Sequence, residues 1–200
     1  MEIHQIVDPM NDYSDLTINP NLFELAHGEA CDLAECRAAC CVGGIWVDLL
    51  AAQQILAHRA TIAPLMAAEY RDQVDRWFGE DELEHPDFPS GIALSTNVGP
   101  RSGDPERLGC IFVRADHCCS LQMASDQLGL PYPGLKPFDC ATYPILRSEG
   151  ELLYDDQSAR DHPGADCQLS KTAQLRPRHH VFRLEMELCI GKKAYAALTA

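Results

Sequence analysis

The sequence predicts a single α+β domain that is mostly helical and has one or two short β-hairpins. Two patterns lead to this fold class. Apolar residues recur at three- and four-residue steps over Asp48–Phe78, which is typical of helices. Short apolar runs such as Ile92–Thr96 stand between loops rich in Pro, Gly and Ser, which indicates brief strands. The length of 200 residues, 46% of them hydrophobic, is enough for one sizeable core.

The helical pattern of Asp48–Phe78 is expected to divide into two helices. A break near Thr61–Pro64 is the natural division, because proline fits the first turn of a helix but not its interior. Farther along, His117–Leu128 predicts a short helix that Gly129 ends. The tail, His179–Ala197, is amphipathic and predicts a terminal helix.

The strands are expected to pair as hairpins. If Ile92–Thr96 pairs with Gly109–Arg114, Cys110 lies at the end of the first hairpin. Ile145–Arg147 and Leu152–Tyr154 flank the turn sequence Ser-Glu-Gly-Glu, which predicts a second hairpin.

Cysteines are the strongest chemical signal in the chain. Eight of the ten form a spaced series, Cys31, Cys36, Cys40, Cys41, Cys110, Cys119, Cys140 and Cys167. The first four fall within eleven residues and can converge on one ion without help from a long-range fold. Cys140 lies between two prolines, Pro137 and Pro144, which restrict the backbone and so help to fix the direction of its thiol. The pattern therefore predicts that the hairpins and helices surround a cysteine metal site.

Charge and the start of the chain limit the compartment and the partners. The first residues include an acidic side chain and lack an apolar run, so no signal peptide is expected, and no stretch approaches eighteen apolar residues. We therefore expect a cytoplasmic protein, in which free thiols favour metal ligation over disulfides. The net charge of −14 opposes binding to nucleic acid and to anionic membranes.

The metal and the number of sites stay open at this stage. Eight thiolates could form two four-thiolate sites, for zinc or for iron–sulfur clusters, or one site with spare redox thiols. The spacing matches neither the knuckles of zinc ribbons nor the cysteine run of bacterial ferredoxins, and we favour an iron–sulfur cluster slightly over zinc. A histidine could complete a site of three thiolates, and the candidates are His27, His117 and His162. Cys189, on the apolar side of the tail helix, is expected in the core, and the role of Cys118 stays open.

The order of the cysteine motifs resembles a known family. The motifs are Cys31-Asp-Leu-x2-Cys36-x3-Cys40-Cys41-Val-x-Gly, Gly109-Cys110-x-Phe112, Cys119-x-Leu121-Gln122 and Lys136-Pro-Phe-x-Cys140-x2-Tyr143-Pro144-Ile145. Together they resemble the YkgJ-type cysteine cluster proteins, the zinc- or iron-chelating CxxCxxCC family, with a longer spacing in the first motif. The resemblance implies a cytoplasmic metal-binding protein whose ligands are the eight cysteines of the series. It also implies zinc or an iron–sulfur cluster as the cofactor.

The function we expect is metal binding with a structural, redox or metal-handling role. A related cluster occurs in flagellin lysine methylases, so the alternative is a cluster-containing enzyme of that type. The sequence has no Gly-rich nucleotide loop, HExxH motif or Gly-x-Ser-x-Gly elbow, which favours the binding protein. Tyr143, close to Cys140, is expected to steady a neighbouring ligand through its hydroxyl.

The chain is expected to have three parts. Residues 1–30 form an irregular lead-in that is rich in Asn, Asp and Pro. Residues 31–175 form the cysteine-cluster domain, and residues 176–200 form a C-terminal helix that packs on the same domain.

Overall fold

The computed structural model describes residues 16–26, 38–102, 104–157 and 174–199. Helices take 42% and strands 27% of these residues, which confirms an α+β fold. The prediction that the fold is mostly helical is wrong, because short strands run through the described chain and pair into four small sheets. The division of the chain into a lead-in, a central domain and a terminal helix stays a prediction.

The bounds of the main elements are as follows. The strands are β1 (Thr17–Ile18), β2 (Leu25–Ala26), β3 (Trp46–Asp48), β4 (Phe78–Glu84), β5 (Ile92–Thr96), β6 (Val98–Arg101), β7 (Asp104–Cys110), β8 (Ile145–Ser148), β9 (Glu151–Tyr154) and β10 (Arg176–Pro177). The helices include α1 (Leu49–Ala57), α2 (Arg59–Ile62), α3 (Ala68–Arg71), α4 (Ser120–Leu128), α5 (Phe138–Thr142), α6 (Arg178–Val181) and α7 (Arg183–Leu198). Short 3-10 turns lie at Pro20–Phe23, Ala39–Cys41, Ala63–Leu65 and Val74–Arg76.

Asp48 joins the first sheet to the first helix. One of its carboxylate oxygens, Oδ1, accepts the Leu50 N–H at 2.9 Å and so caps the start of α1. The other oxygen, Oδ2, accepts from the Ser90 backbone N–H at 2.9 Å and the Ser90 hydroxyl at 2.6 Å. One carboxylate therefore fixes both the direction of α1 and the loop that precedes β5.

The predicted pair of helices after Asp48 is replaced by several short pieces. Helix α1 ends at Ala57, and α2 gives way to the 3-10 turn Ala63–Leu65. Pro64 lies in that turn. The helix ends before it, because proline lacks the N–H that a continuing helix needs. The break near Thr61–Pro64 is confirmed, but the second helix is wrong, since only α3 and a further 3-10 turn lie between Leu65 and Phe78.

The first predicted hairpin pairs the wrong two strands. The bounds of β5 agree with the prediction, but β3 and β4 occupy its two edges, so β7 cannot pair with it. Instead β7 pairs antiparallel with β6, and it ends at Cys110 rather than at Arg114. Strand β6 was not predicted from its sequence Val-Gly-Pro-Arg, because Gly and Pro are usually depleted in strands. Pro is tolerated in a strand only where no ladder N–H is needed.

A first hydrophobic core lies under the β3–β5–β4 sheet and the helices that follow β3. Trp77 and Phe112 are almost completely buried and meet edge to face, with ring centroids 5.4 Å apart. The buried members are Val47, Ala52, Ile55, Ile62, Met66, Trp77, Phe78, Ile111, Phe112, Leu121, Ala124 and Leu135. Cys110 and Cys119 pack against this core.

A second core forms where the predicted second hairpin, now observed as β8 and β9, meets the C-terminal helices. Strand β1 adds to this hairpin in parallel with β9, and Leu22 of the lead-in is fully buried in the same core. Its buried members are Leu22, Ile145, Leu152, Tyr154, Val181, Phe182, Met186, Cys189 and Tyr195. The predicted terminal helix is therefore present, but it is divided between α6 and α7 and kinked at Gly191, whose φ of 78° is not helical.

Helix α5 lies between these regions, since it contacts β3 on one side and α7 on the other. Within the described ranges, none of the helices is both long and apolar enough to cross a membrane.

Removal of a buried side chain from the second core should destabilise the protein strongly. Leu152 is fully buried, so Leu152→Ala should lower the free energy of unfolding by about 2–5 kcal/mol, through lost apolar burial and the cavity that remains. Leu184→Ala is the matched control, because Leu184 is 53% exposed, and it should change the same quantity by less than about 0.5 kcal/mol. Urea unfolding measures both, and similar losses in the two variants would contradict the position of this core.

Candidate metal centre

Five of the eight predicted ligands lie in the described part of the chain. They are Cys40, Cys41, Cys110, Cys119 and Cys140, which we call the thiol cluster. Cys31, Cys36 and Cys167 lie outside the described residues, as do His27 and His162.

Four separate segments carry the thiol cluster. The pair Cys40 and Cys41 lies on the 3-10 turn Ala39–Cys41, and Cys110 is the last residue of β7. Cys119 immediately precedes α4, and Cys140 is in the middle of α5. These residues are up to 100 positions apart in sequence, so the packing of the first core is needed to bring them together.

Local hydrogen bonds hold the segment between Cys110 and Cys119. An isolated β-bridge joins Val113 to Cys119, and the Ser120 N–H and hydroxyl both donate to the Phe112 carbonyl at 2.9 Å. Ser120 is completely buried, so these bonds are protected from competition with water. The loop after β7 is therefore closed onto the start of α4.

The thiols of the cluster are near enough to influence one another's ionisation. The hydrogen bond with Cys40, whose Sγ is 3.8 Å away, raises the pKa of Cys41, and burial and the charges of Cys140 and Cys119 raise it further. Burial raises the pKa of Cys140 well above its ordinary value, and the thiolate charges of Cys110 and Cys119 act in the same direction. The five thiols are therefore near enough to interact electrostatically.

Exposure differs across the cluster. Cys40 is exposed, whereas the other four residues are half-buried, with their thiols turned into the protein. Burial raises the pKa of Cys110 to about 11, and its neutral thiol donates a hydrogen bond to the Thr96 hydroxyl at 3.6 Å. Without a metal, the buried thiols of the cluster are therefore protonated at neutral pH.

Two cationic side chains, Arg101 and Lys136, accompany the thiols. Against the effect of burial, Lys136 favours ionisation of Cys119 and Cys140, and Arg101 favours ionisation of Cys110. Arg101 was not selected from the sequence, because its segment is rich in Pro and Gly and is typical of a loop, whereas Lys136 was noted only as part of the motif around Cys140. Thr96 was missed as well, although its hydroxyl accepts the Ile45 N–H at 2.9 Å beside Cys110.

The arrangement lacks the geometry of a preformed metal site. Over residues 16–26, 38–102, 104–157 and 174–199, no three His, Cys, Asp or Glu side chains are placed so that they could hold a metal ion. The predicted metal site is therefore not preformed among the described residues, and metal ligation by these thiols stays a prediction.

The remaining candidates from the sequence have different surroundings. Cys189 is completely buried in the second core, which confirms the expectation that it is a core residue. His117 is exposed and has a φ of 66°. Tyr143 follows α5 directly and its hydroxyl is buried, while its predicted effect on a ligand stays a prediction. Cys118 is half-buried, and its role stays open.

Comparisons with known proteins add no relative. No protein-family model, no curated protein and no solved structure matches the chain. The resemblance to the YkgJ-type proteins therefore stays a prediction from the motifs.

The stability of the metal-free protein should decrease at high pH through Cys189. Burial raises the pKa of this thiol to about 12 from its ordinary value of 9.0, so the unfolded chain releases the proton first as the pH rises. The stabilisation by the neutral buried thiol is complete below about pH 9 and is lost as the pH approaches about 12. Urea unfolding from about pH 8 to about pH 11 should show a steeper decrease for the wild type than for Cys189→Ala. If the wild type and Cys189→Ala lost stability in parallel as the pH rises, the raised pKa of Cys189 would be contradicted.

Proposed function

We propose that this chain is a metal-binding protein that holds zinc or an iron–sulfur cluster through cysteine thiolates. The observation that carries the proposal is that five thiols from four distant segments lie near enough to influence one another's ionisation, and that all but Cys40 are buried thiols. Thiolates are the ligands that zinc and iron–sulfur clusters share, and four of them satisfy either centre. The proposed ligands are Cys41, Cys110, Cys119 and Cys140, with the exposed Cys40 beside them.

The cations beside the thiols support this proposal. A neutral thiol gains little from a nearby positive charge, whereas a metal bound by four thiolates forms a complex that carries net negative charge. The charge of Lys136 favours ionised Cys119 and Cys140, and that of Arg101 favours ionised Cys110, so both cations would stabilise such a complex.

Metal binding by this cluster requires the loss of thiol protons. Burial keeps the pKa of Cys110, Cys119 and Cys140 above its ordinary value, so a metal has to compete with protons for these sulfurs. Binding therefore releases protons, and its free energy adds to the free energy of folding. The metal would then supply a large part of the stability of the first core.

The role of the metal is proposed as structural, redox or metal handling in the cytoplasm. A reducing compartment would keep the thiols available as metal ligands. The alternative of a cluster-containing enzyme similar to flagellin lysine methylases rests on the resemblance alone.

Loss of one proposed ligand should remove the metal. Loss of the hydrogen-bond partner of a metal ligand typically reduces metal affinity roughly 10- to 100-fold. Cys140→Ser removes a proposed ligand itself, so it should reduce metal affinity by more than that. Cys189→Ser is the matched control, since this thiol is also buried and on a helix that contacts α5, yet it belongs to the second core. Metal and acid-labile sulfide are measured on anaerobically purified protein, together with an ultraviolet–visible spectrum.

The result also identifies the metal. Iron with sulfide and visible absorbance indicates a cluster, whereas stoichiometric zinc without colour indicates a zinc thiolate site. Equal metal content in the two variants would overturn the ligand assignment, and wild-type protein that binds neither zinc nor an iron–sulfur cluster would overturn the function itself.

A further inference from the structure

Strand β4 lies at one edge of the β3–β5–β4 sheet. Its inner side pairs with β5, and no strand within the described ranges pairs with its outer side. Residues 80–84 of this strand are exposed. An unpaired strand edge presents backbone N–H and C=O groups with which an extended chain can form a further ladder. The outer side of β4 is therefore a surface on which a strand can be added.

The hydrogen bonds at the end of the β4–β5 hairpin identify the backbone groups that face outward. The His85 N–H donates to the Gly91 carbonyl at 2.9 Å, and the ladder keeps one register from this pair back to Glu82. Hydrogen-bonded and non-hydrogen-bonded pairs alternate along an antiparallel ladder, so Leu83 bonds to β5 whereas Glu82 and Glu84 do not. The backbone N–H and C=O groups of Glu82 and Glu84 therefore point to the open edge.

The hydrogen bonds on the other side of β5 assign the same orientation. The Thr96 N–H donates to the Ile45 carbonyl at 2.8 Å, so the alternation along β3 places the backbone groups of Leu94 on Val47. Leu94 is the residue opposite Glu82. Because the N–H and C=O of Leu94 face β3, the backbone groups of Glu82 have no partner on β5.

Acidic side chains line the open edge. Glu80, Asp81, Glu82 and Glu84 are exposed, and none of them forms an ion pair in the part of the chain that the structure describes. Residues two apart on a strand share a face, so Glu82 and Glu84 point to one side and Leu83, which is 47% exposed, points to the other. The like charges oppose pairing of this edge with a second copy of itself and favour a basic partner.

An open groove of about 660 Å³ lies at the end of this edge. It is lined by residues 82–86 together with Gly91 and Ile92. The rings of His85 and Phe88 stack with their centroids 4.0 Å apart, and the Gly91 N–H donates to the Phe88 carbonyl at 2.8 Å. The loop beside the groove is thus held by its own contacts, and the groove leaves room for the side chains of an added strand.

We propose that the outer edge of β4 binds an extended, basic segment of a partner protein, which adds to the sheet as an antiparallel strand. Two basic residues of the segment lie opposite Glu82 and Glu84, and the apolar residue between them lies opposite Leu83. The backbone hydrogen bonds supply affinity, and the alternation of basic and apolar side chains selects the partner. This interaction does not depend on the proposed metal.

The test titrates the reduced full chain, labelled for amide NMR, with the end-blocked peptide Thr-Lys-Val-Lys-Thr at low ionic strength. The amide signals of Glu82 and Glu84 should shift, because their N–H groups gain hydrogen bonds. In the antiparallel register the lysine N–H groups of the peptide face β4 and the valine N–H faces solvent. Methylation of both lysine backbone nitrogens should therefore abolish binding, whereas methylation of the valine nitrogen should preserve it.

Charge variants test the choice of partner. Glu82→Gln together with Glu84→Gln should weaken binding of the lysine peptide roughly 2- to 30-fold, because two cross-strand charge pairs are lost. Glu82→Lys together with Glu84→Lys should reverse the preference, so that Thr-Glu-Val-Glu-Thr binds and the lysine peptide does not. Asp104→Asn together with Glu106→Gln is the matched control, since these carboxylates are also exposed and two apart on a strand but lie on β7. This control should leave the affinity unchanged.

Several results would overturn the proposal. These are absence of binding at millimolar peptide, shifts confined to amides outside β4, loss of binding on methylation of the valine instead of the lysines, and equal weakening by the β7 control. The exposed positions of the substitutions should leave the fold intact, which circular dichroism checks. If the β4 variants do not fold, the two methylated peptides decide the question on the wild-type protein.

Discussion

The rest of the described structure depends on keeping several thiols together in a buried region. A sulfur that is ionised there would repel its neighbours, and a protonated one offers only weak hydrogen bonds. The chain meets this constraint with the cations Arg101 and Lys136, and with the hydroxyl of Thr96, which lies 3.6 Å from the Cys110 sulfur. Electrostatics and packing therefore act on the same few residues of the cluster.

Short elements are suited to such a region because each needs only to deliver one side chain. Among the described residues, the thiols lie at a turn, at the end of a strand, before a helix and within a helix of five residues. The larger part of the apolar burial comes from other residues, in the two cores that Phe112 and Leu152 represent, and Cys110 and Cys119 pack against the first of them. The stability of the first core and the surroundings of these two sulfurs are thus linked.

The sequence predicted the elements whose signals are local. Strand β5, the hairpin of β8 and β9, and the end of α4 at Gly129 follow from adjacent residues, and the structure contains them. The pairing of β6 with β7 was missed because it depends on which edges of β5 other strands already occupy. Arg101 was missed for a related reason, since its side chain donates to the Ala38 carbonyl, 63 positions away. Non-local contacts of this kind leave no periodic pattern in the sequence.

The position of α5 has a consequence for how freely the sequence can vary. Ala141 and Thr142 are each 2% exposed, and the helix to which they belong touches both β3 and α7. A larger side chain at Ala141 would force those neighbours apart, so contacts on both sides of the helix limit the substitutions that this segment tolerates. Strand β4 is the opposite case, since its last five residues are exposed and it can accept many replacements. Substitutions should therefore be tolerated less well at Ala141 and Thr142 than between Glu80 and Glu84.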